Sequence, residues 1–266
     1  MLRSLKDIEG YQVSASDGEI GKVSDFLFDD ERWVIRYLVV QTGSGSFFQD
    51  GRQVLISPIF FRKAEWATRQ FHLALTAKKV KDSPSTDVHR PVSRQHEQDY
   101  YRYYGYPNYW ESSGFWGMGA CPGGLVPGQW NEGAAERSKK PSGDGHLRSD
   151  KEIRGYHIQG SDEAIGHIQD CIVDDETWEV RYLVVDTSNW WLGKSVLIAP
   201  HWATRISWNE MKVFVDLTRQ KIKDSPEWNA ETAVNREYET RLYDYYGRPA
   251  DWTPGGFAES ARPELR

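Results

Sequence analysis

Cysteines and long apolar segments are both scarce in this chain of 266 residues. Its two cysteines, Cys121 and Cys171, are too few for a disulfide scaffold or a cysteine-based metal site. We interpret Cys171 as a small buried apolar residue, because Phe26 takes its place in an internal repeat described below. No apolar run approaches the roughly 20 residues that span a bilayer, and the first residues lack the apolar stretch of a secretory signal. The sequence therefore predicts a cytoplasmic protein without a transmembrane segment.

Motifs that carry catalysis are also missing. The chain has no glycine-rich phosphate loop, no nucleophile elbow and no His-Glu metal motif. Its 7 histidines do not recur between the repeats, since His157 and His167 correspond to Gln12 and Lys22. A duplicated metal site would repeat its ligands. We therefore expect a protein that is not an enzyme, with no catalytic residues, no metal and no cofactor.

The net charge of -6 is distributed unevenly along the chain. Residues 1–110 carry about +1, whereas residues 147–266 carry about -6. Neither half has the concentrated basic face that neutralises phosphates. Nucleic acid is therefore not an expected partner.

An internal repeat is the main feature of the sequence. Residues 2–42 align without a gap with residues 147–187, and about half of the positions are identical. After a short length change the match resumes in three further blocks: residues 54–58 with 196–200, 81–84 with 223–226, and 103–110 with 245–252. The chain is therefore a duplication of one module.

Each copy reads as a series of short strands. Residues 21–28 and 33–40 are rich in apolar and β-branched residues around Asp29-Asp30-Glu31, which predicts a hairpin. We interpret the acidic triplet as the turn, because the ordered spacing of a calcium loop is absent. About six such strands occur in roughly 75 residues, as in small barrels. The fold class we predict is mainly β, with two small β-barrels of about six strands, each followed by a short Tyr-rich α-helix.

The predicted domain organisation follows the duplication. We expect a first barrel with its tail at residues 1–110 and a second at 147–252, with a disordered C-terminal tail at 253–266. Residues 111–146 are rich in glycine and proline and are predicted to be a linker. Its aromatic residues Phe115, Trp116 and Trp130 either pack locally on a barrel or are loosely ordered.

Two candidate ion pairs recur in the repeats. Asp25 and Arg36 of the first copy correspond to Asp170 and Arg181 of the second copy. Across a hairpin these side chains could face each other, so we predict two structural ion pairs.

The Tyr-rich tails are the candidate interaction residues. Tyrosine and tryptophan offer large contact areas at low entropic cost, which favours interfaces. The alternative is that each tail packs on a barrel as a permanent lid. Base stacking on the rings is a third, less favoured interpretation. The candidate residues are Tyr100, Tyr101, Tyr103, Tyr104, Tyr106, Trp110, Tyr238, Tyr243, Tyr245, Tyr246 and Trp252.

The ordered set of shared residues resembles the PRC-barrel family. In the first copy the set is Gly21-Lys22-Val23, Phe28-Asp29-Asp30, residues 36–40 and residues 54–58. The second copy repeats it in the same order. The resemblance implies the small barrel found in the cytoplasmic domain of the photosynthetic reaction-centre H subunit. Another relative carries this barrel behind a separate domain and acts in ribosome maturation.

Together these observations predict a non-catalytic tandem PRC-barrel adaptor or scaffold. We expect it to bind a protein partner, with peripheral association at the cytoplasmic membrane surface as one setting. We also expect the two barrels to pack on each other. The alternative is a sensor module for a small ligand or metal, and further alternatives are a factor associated with the reaction centre or with RNA and the ribosome.

Overall fold

The computed structural model describes most of the chain as two compact units. The described residues are 1–43, 51–84, 92–128, 146–187, 194–230 and 234–249, with the backbone of 264 and 265. We call residues 7–149 with 176–178 the N-terminal unit, and residues 1–6, 150–175 and 179–266 the C-terminal unit. Trp130, Trp252 and most of the predicted C-terminal tail lie outside the described residues.

Sixteen strands and six helices are found in the described residues. The strands are β1 (Leu2–Ser4), β2 (Gln12–Ala15), β3 (Gly18–Asp29), β4 (Val34–Thr42), β5 (Gln53–Ile56), β6 (Phe61–Glu65), β7 (Gln70–Leu73), β8 (Leu147–Ser149), β9 (His157–Gln159), β10 (Ala164–Asp174), β11 (Val180–Asp186), β12 (Ser195–Ile198), β13 (Ala203–Ser207), β14 (Lys212–Val215), β15 (Glu227–Trp228) and β16 (Glu264–Leu265). The helices are α1 (Leu5–Ile8), α2 (Ala77–Lys81), α3 (Arg94–Tyr104), α4 (Asp150–Ile153), α5 (Arg219–Lys223) and α6 (Arg236–Tyr246). None of these helices combines the length and the apolar character needed to span a bilayer.

The N-terminal unit contains a mixed sheet with the strand order β5-β4-β3-β2-β7-β6. Strands β2 and β7 are parallel, and the other neighbours are antiparallel. The mainly β class is therefore confirmed. In the described residues, however, no pairing of β5 with β6 closes the sheet into the predicted barrel. The chain passes from one edge to the other through a 3-10 turn at Pro58–Phe60, whose proline has no N–H for a ladder.

The C-terminal unit repeats this arrangement. Its strand order is β15-β12-β11-β10-β9-β14-β13-β16, with β9 parallel to β14 and β13 parallel to the two-residue strand β16. A 3-10 turn at Pro200–Trp202 takes the same place as that of the first repeat.

The first hairpin forms where the sequence predicts it. Strands β3 and β4 are antiparallel, and Asp29 Oδ1 accepts hydrogen bonds from the backbone N–H groups of Glu31 (3.0 Å) and Arg32 (3.2 Å). The acidic residue therefore stabilises its own turn, as the sequence interpretation required. The turn ends at Trp33 with a φ of 56°, and Trp178 repeats this left-handed conformation with 62°.

Each sheet also contains one short strand from the other repeat. Strand β1 of the first repeat pairs antiparallel with β10, and β8, which begins the second repeat, pairs antiparallel with β3. The compact units therefore do not coincide with the predicted boundaries at residues 110 and 147. A short helix, α1 or α4, follows each of these strands.

Part of the predicted linker belongs to the core of the N-terminal unit. Phe115, Trp116 and Leu125 are buried there. The indole N–H of Trp116 donates to the carbonyl oxygen of Thr177 at 2.8 Å. Phe115 and Trp116 therefore pack locally, which was one of the two alternatives for the aromatic residues of the linker.

Candidate functional site

Helix α3 packs its tyrosines onto the sheet of the N-terminal unit. The helix begins after Ser93, whose hydroxyl accepts the N–H of His96 at 3.2 Å, and ends at Gly105 with a φ of 77°. The buried Tyr100 hydroxyl donates to the carbonyl oxygen of Leu55 at 3.0 Å. Its ring meets that of Tyr37 edge to face, with centroids 5.1 Å apart. Hydrogen bonds and ring contacts together fix the helix on the sheet.

A buried glutamate lies at the centre of this contact. Glu97, on α3, is fully buried. Its Oε1 accepts hydrogen bonds from the hydroxyls of Tyr37 (3.1 Å) and Tyr109 (3.0 Å). Its Oε2 lies 3.2 Å from Arg94 Nη1 and 2.8 Å from His146 Nε2. Four donors therefore surround one carboxylate, which offsets the cost of burying it.

A buried arginine contacts Tyr109, one of the partners of this carboxylate. Arg36, on β4, donates from Nη2 to Asp29 Oδ2 at 3.0 Å and from Nη1 to the carbonyl oxygen of Phe115. Its guanidinium carbon lies 3.8 Å from the ring centroid of Tyr109 and 5.0 Å from that of Trp116. This geometry combines an ion pair with cation–π contacts in a site from which water is excluded.

The burial of the cluster determines its protonation behaviour. Burial disfavours the charged form of Asp29, but the positive charges of Arg36, His146 and Arg94 outweigh that effect, so the pKa of Asp29 is lowered. Burial, with Glu97 next in importance, raises the pKa of the Tyr37 and Tyr109 hydroxyls well above the ordinary value. Both phenols therefore remain protonated and donate to Glu97.

The C-terminal unit repeats the core of the cluster. The hydroxyl of Tyr182 donates to Glu239 Oε1 at 2.8 Å. Arg181 Nη2 lies 3.7 Å from the same oxygen, and Arg236 Nη1 lies 3.3 Å from Oε2. Four positions correspond between the units: Tyr37 with Tyr182, Glu97 with Glu239, Arg36 with Arg181, and Arg94 with Arg236. The arrangement therefore belongs to the repeated module.

The polar groups of this cluster are used to hold the helix. The Glu97 carboxylate and the Arg36 guanidinium are both fully buried, and His146 is 9% exposed. A general acid or base must reach a substrate, and a nucleophile must approach a base in a cleft. The buried cluster offers neither, so its chemistry is that of a structural network.

A second polar site holds the exchanged strands. Ser4 Oγ donates to Asp170 Oδ2 at 2.5 Å in the C-terminal unit, and Ser149 Oγ donates to Asp25 Oδ2 at 2.6 Å in the N-terminal unit. Burial raises the pKa of Asp170, although the Ser4 hydroxyl opposes the shift. Burial likewise raises the pKa of Asp30 to about 6, against the effect of its partner Arg148.

Comparison with known proteins identifies the module. The sequence profile of the PRC-barrel domain matches residues 2–65 and 146–221, which together exceed half of the chain. The chain belongs to the PRC-barrel domain family. Both matched segments begin at an exchanged strand, and the profile match confirms two tandem copies.

One relative is an uncharacterized protein of Deinococcus radiodurans. It is 34% identical to this PRC-barrel chain over 83 residues, which are 31% of this chain and 28% of the Deinococcus protein. The match therefore spans little more than a quarter of the relative's length.

Most of the candidate tail residues of this PRC-barrel chain are covered. Tyr103 is 36% exposed, and Tyr106, Trp110 and Tyr245 are partly exposed. The buried candidates are Tyr100, Tyr101, Tyr104, Tyr238, Tyr243 and Tyr246. Among the described tail residues, an interaction through the folded tails is therefore restricted to the partly exposed ones.

The two ion pairs expected from the sequence are not formed. Arg36 pairs with Asp29 rather than Asp25, because the strand register sets Asp25 opposite Val39. The Asp25 carboxylate instead accepts from Ser149.

The second pair fails in the same way. Asp170 accepts from Ser4 and from the backbone N–H of Lys6, whereas Arg181 lies beside Glu179 and Glu239. Both aspartates thus hold an exchanged strand, and both arginines lie at the helix contact.

The sequence reasoning missed the central glutamates. Glu97 and Glu239 occupy equivalent repeat positions, three residues after Arg94 and Arg236. An acidic residue repeated within a tyrosine-rich helical face was the available signal. Among the described residues, no group of three or more His, Cys, Asp or Glu side chains is placed to hold a metal ion.

Proposed function

We propose that this tandem PRC-barrel chain is a non-catalytic adaptor that binds a protein partner. The observation that carries the proposal is the repeated Tyr–Glu contact, which uses the polar groups of each module to hold a helix on its sheet. In the part of each module that the structure describes, a fold and an internal network are repeated, but no accessible reactive group is. We therefore place its function in surface recognition.

Equivalent tyrosines on the two helices are the best candidates for contact. Tyr103 and Tyr245 occupy matching positions, and their hydroxyls donate to the carbonyl oxygens of Lys79 (2.8 Å) and Lys221 (2.6 Å). These bonds hold the rings in place while their outer faces remain partly exposed. Rigid, partly exposed tyrosines favour protein interfaces.

Affinity capture with quantitative mass spectrometry tests the proposal. The bait is the full-length chain, and the variant carries Tyr103→Ala with Tyr245→Ala. We expect a reproducible protein partner whose recovery falls at least about tenfold with the variant, as for truncation of contact residues. A matched surface control is Gln95→Ala with Thr240→Ala, on exposed positions of the same helices. Equal recovery with bait, variant and control would contradict tyrosine-mediated binding.

Native mass spectrometry of the purified chain distinguishes the alternative sensor function from the adaptor function. The adaptor proposal expects the mass of the polypeptide alone. A stoichiometric bound small molecule or metal would instead support the sensor.

Binding at the cytoplasmic membrane surface stays a prediction, and sedimentation with anionic vesicles checks it.

A further inference from the structure

Each unit of the structure has a docking groove beside its longest strand. The groove of the N-terminal unit lies along β3 and holds β8, and that of the C-terminal unit lies along β10 and holds β1. Both inserted strands have the sequence Leu-Arg-Ser. Each groove is thus filled by a strand from a repeat other than its own.

The backbone pairing is the same in the two grooves. Each strand forms a three-residue antiparallel ladder. The paired residues are Leu2 with Asp174, Arg3 with Val173 and Ser4 with Ile172 in one groove, and Leu147 with Asp29, Arg148 with Phe28 and Ser149 with Leu27 in the other. Neither register favours one inserted strand over the other.

The main side-chain contacts are also shared, although Asp175 additionally pairs with the amino group of Met1. In both grooves the serine hydroxyl donates to an aspartate at the start of the ladder. The arginine then pairs with an aspartate at the far end, with Arg3 Nε 2.6 Å from Asp175 Oδ2 and Arg148 Nε 3.0 Å from Asp30 Oδ2. A groove therefore recognises the Leu-Arg-Ser strand of a second repeat, whichever chain carries that repeat.

We propose that a second copy of this chain is a partner, and that two copies associate by exchanging these strands. Strand β1 of one copy then docks on β10 of the other, and the reverse exchange closes the assembly. Every hydrogen bond of the grooves is kept, as in domain swapping. This inference concerns self-association and does not rest on the adaptor function.

Chain connectivity sets when the exchange occurs. Within one chain the strand has an effective concentration on the order of millimolar, which favours docking inside the chain. Exchange between chains therefore competes when chains fold together at high concentration. Docking within a chain and docking between chains give the same ladder and the same ion pair.

A charge-reversal experiment distinguishes the two forms of docking. One full-length chain carries Arg3→Asp, and a second carries Asp175→Arg. Each variant alone places like charges at the groove, whether the strand docks within a chain or between identical chains. Only a mixture of the two variants restores opposite charges, and only between chains. Co-refolded variants should yield a two-chain species, seen by light scattering, at least about tenfold more abundant than with either variant alone.

The control carries both substitutions in one chain, which restores opposite charges within it. It should fold, by circular dichroism, and remain a single chain after dilute refolding. If each single variant fails to fold, recovery of the folded spectrum in the mixture still supports the proposal. A mixture that contains only single chains, or that stays unfolded while the control folds, would overturn it.

Discussion

At the scale of single residues, Glu97 connects several buried donors. Its carboxylate accepts from two tyrosines and contacts an arginine and a histidine. The equivalent Glu239 contacts one tyrosine and two arginines. Because a buried charge is costly unless it is fully paired, these glutamates determine whether each helix is held on its sheet.

Replacing Glu97 with glutamine should therefore destabilise the protein. The amide would turn an N–H group toward partners that are themselves donors, and the charge that balances Arg94 would be lost. We expect Glu97→Gln to lower the free energy of unfolding by about 3 kcal/mol, with a smaller loss for Glu239→Gln. Urea denaturation measures both.

A matched control lies on the outer side of the same helix. Asp99 lies 3.0 Å from Arg102, and both side chains are about half exposed, at 44% and 56%. Asp99→Asn should change the unfolding free energy by less than about 1 kcal/mol. Equal losses for Asp99→Asn and Glu97→Gln would argue against the network.

At the scale of elements, helix α6 illustrates how burial makes a contact sensitive to alkaline pH. Burial raises the pKa of Tyr238 and of Tyr243 to about 12. An unfolded tyrosine has a pKa of about 10. The folded state therefore disfavours the phenolate, and stability is fully present below pH about 10.

We expect stability to fall as the pH rises from about 10 toward 12, since the unfolded chain loses these protons first. Urea midpoints recorded across this range measure the effect. A Tyr238→Phe variant should lose part of the pH dependence, because phenylalanine cannot ionise. A variant that retains the whole dependence would show that Tyr238 does not contribute.

The strands and hairpins were predictable because their signals are local. Two apolar, β-branched runs around an aspartate-rich turn specify β3 and β4, which are largely buried. Gly247 ends α6 in the left-handed conformation typical of a helix stop. The burial of Phe115 and Trp116 was not predictable, since a glycine-rich segment has no periodicity to indicate which face is covered. The exchange of β1 and β8 was hidden by the repeat itself, because identical Leu-Arg-Ser strands suit either groove.

At the scale of the whole molecule, strand exchange makes each unit depend on residues of both repeats. The C-terminal unit includes residues 1–6, and the N-terminal unit includes residues 146–149 and 176–178. Neither repeat alone contains all the strands of its sheet. Each repeat therefore supplies a strand that completes the sheet of the other, and the two repeats are not separable domains.

Cleavage between the repeats should therefore leave the two pieces together. A protease recognition sequence inserted between residues 129 and 145 allows the chain to be cut after folding. We expect both pieces to co-elute in native buffer and to separate in urea, because each supplies a strand to the sheet of the other. Ser4→Ala with Ser149→Ala removes both serine hydroxyl bonds to the aspartates and should weaken co-elution. Pieces that separate in native buffer without these substitutions would contradict the expected association.

The open groove along β3 also has a consequence for protein synthesis. The ribosome completes β3 about 120 residues before the strand that fills its groove, a delay on the order of ten seconds at ordinary rates of elongation. During that interval an unpaired strand edge is available to neighbouring nascent chains. Charged residues on an edge discourage such pairing. We therefore expect Asp25 and Asp30, which later hold Ser149 and Arg148, to discourage aggregation of the growing polypeptide before the groove is filled.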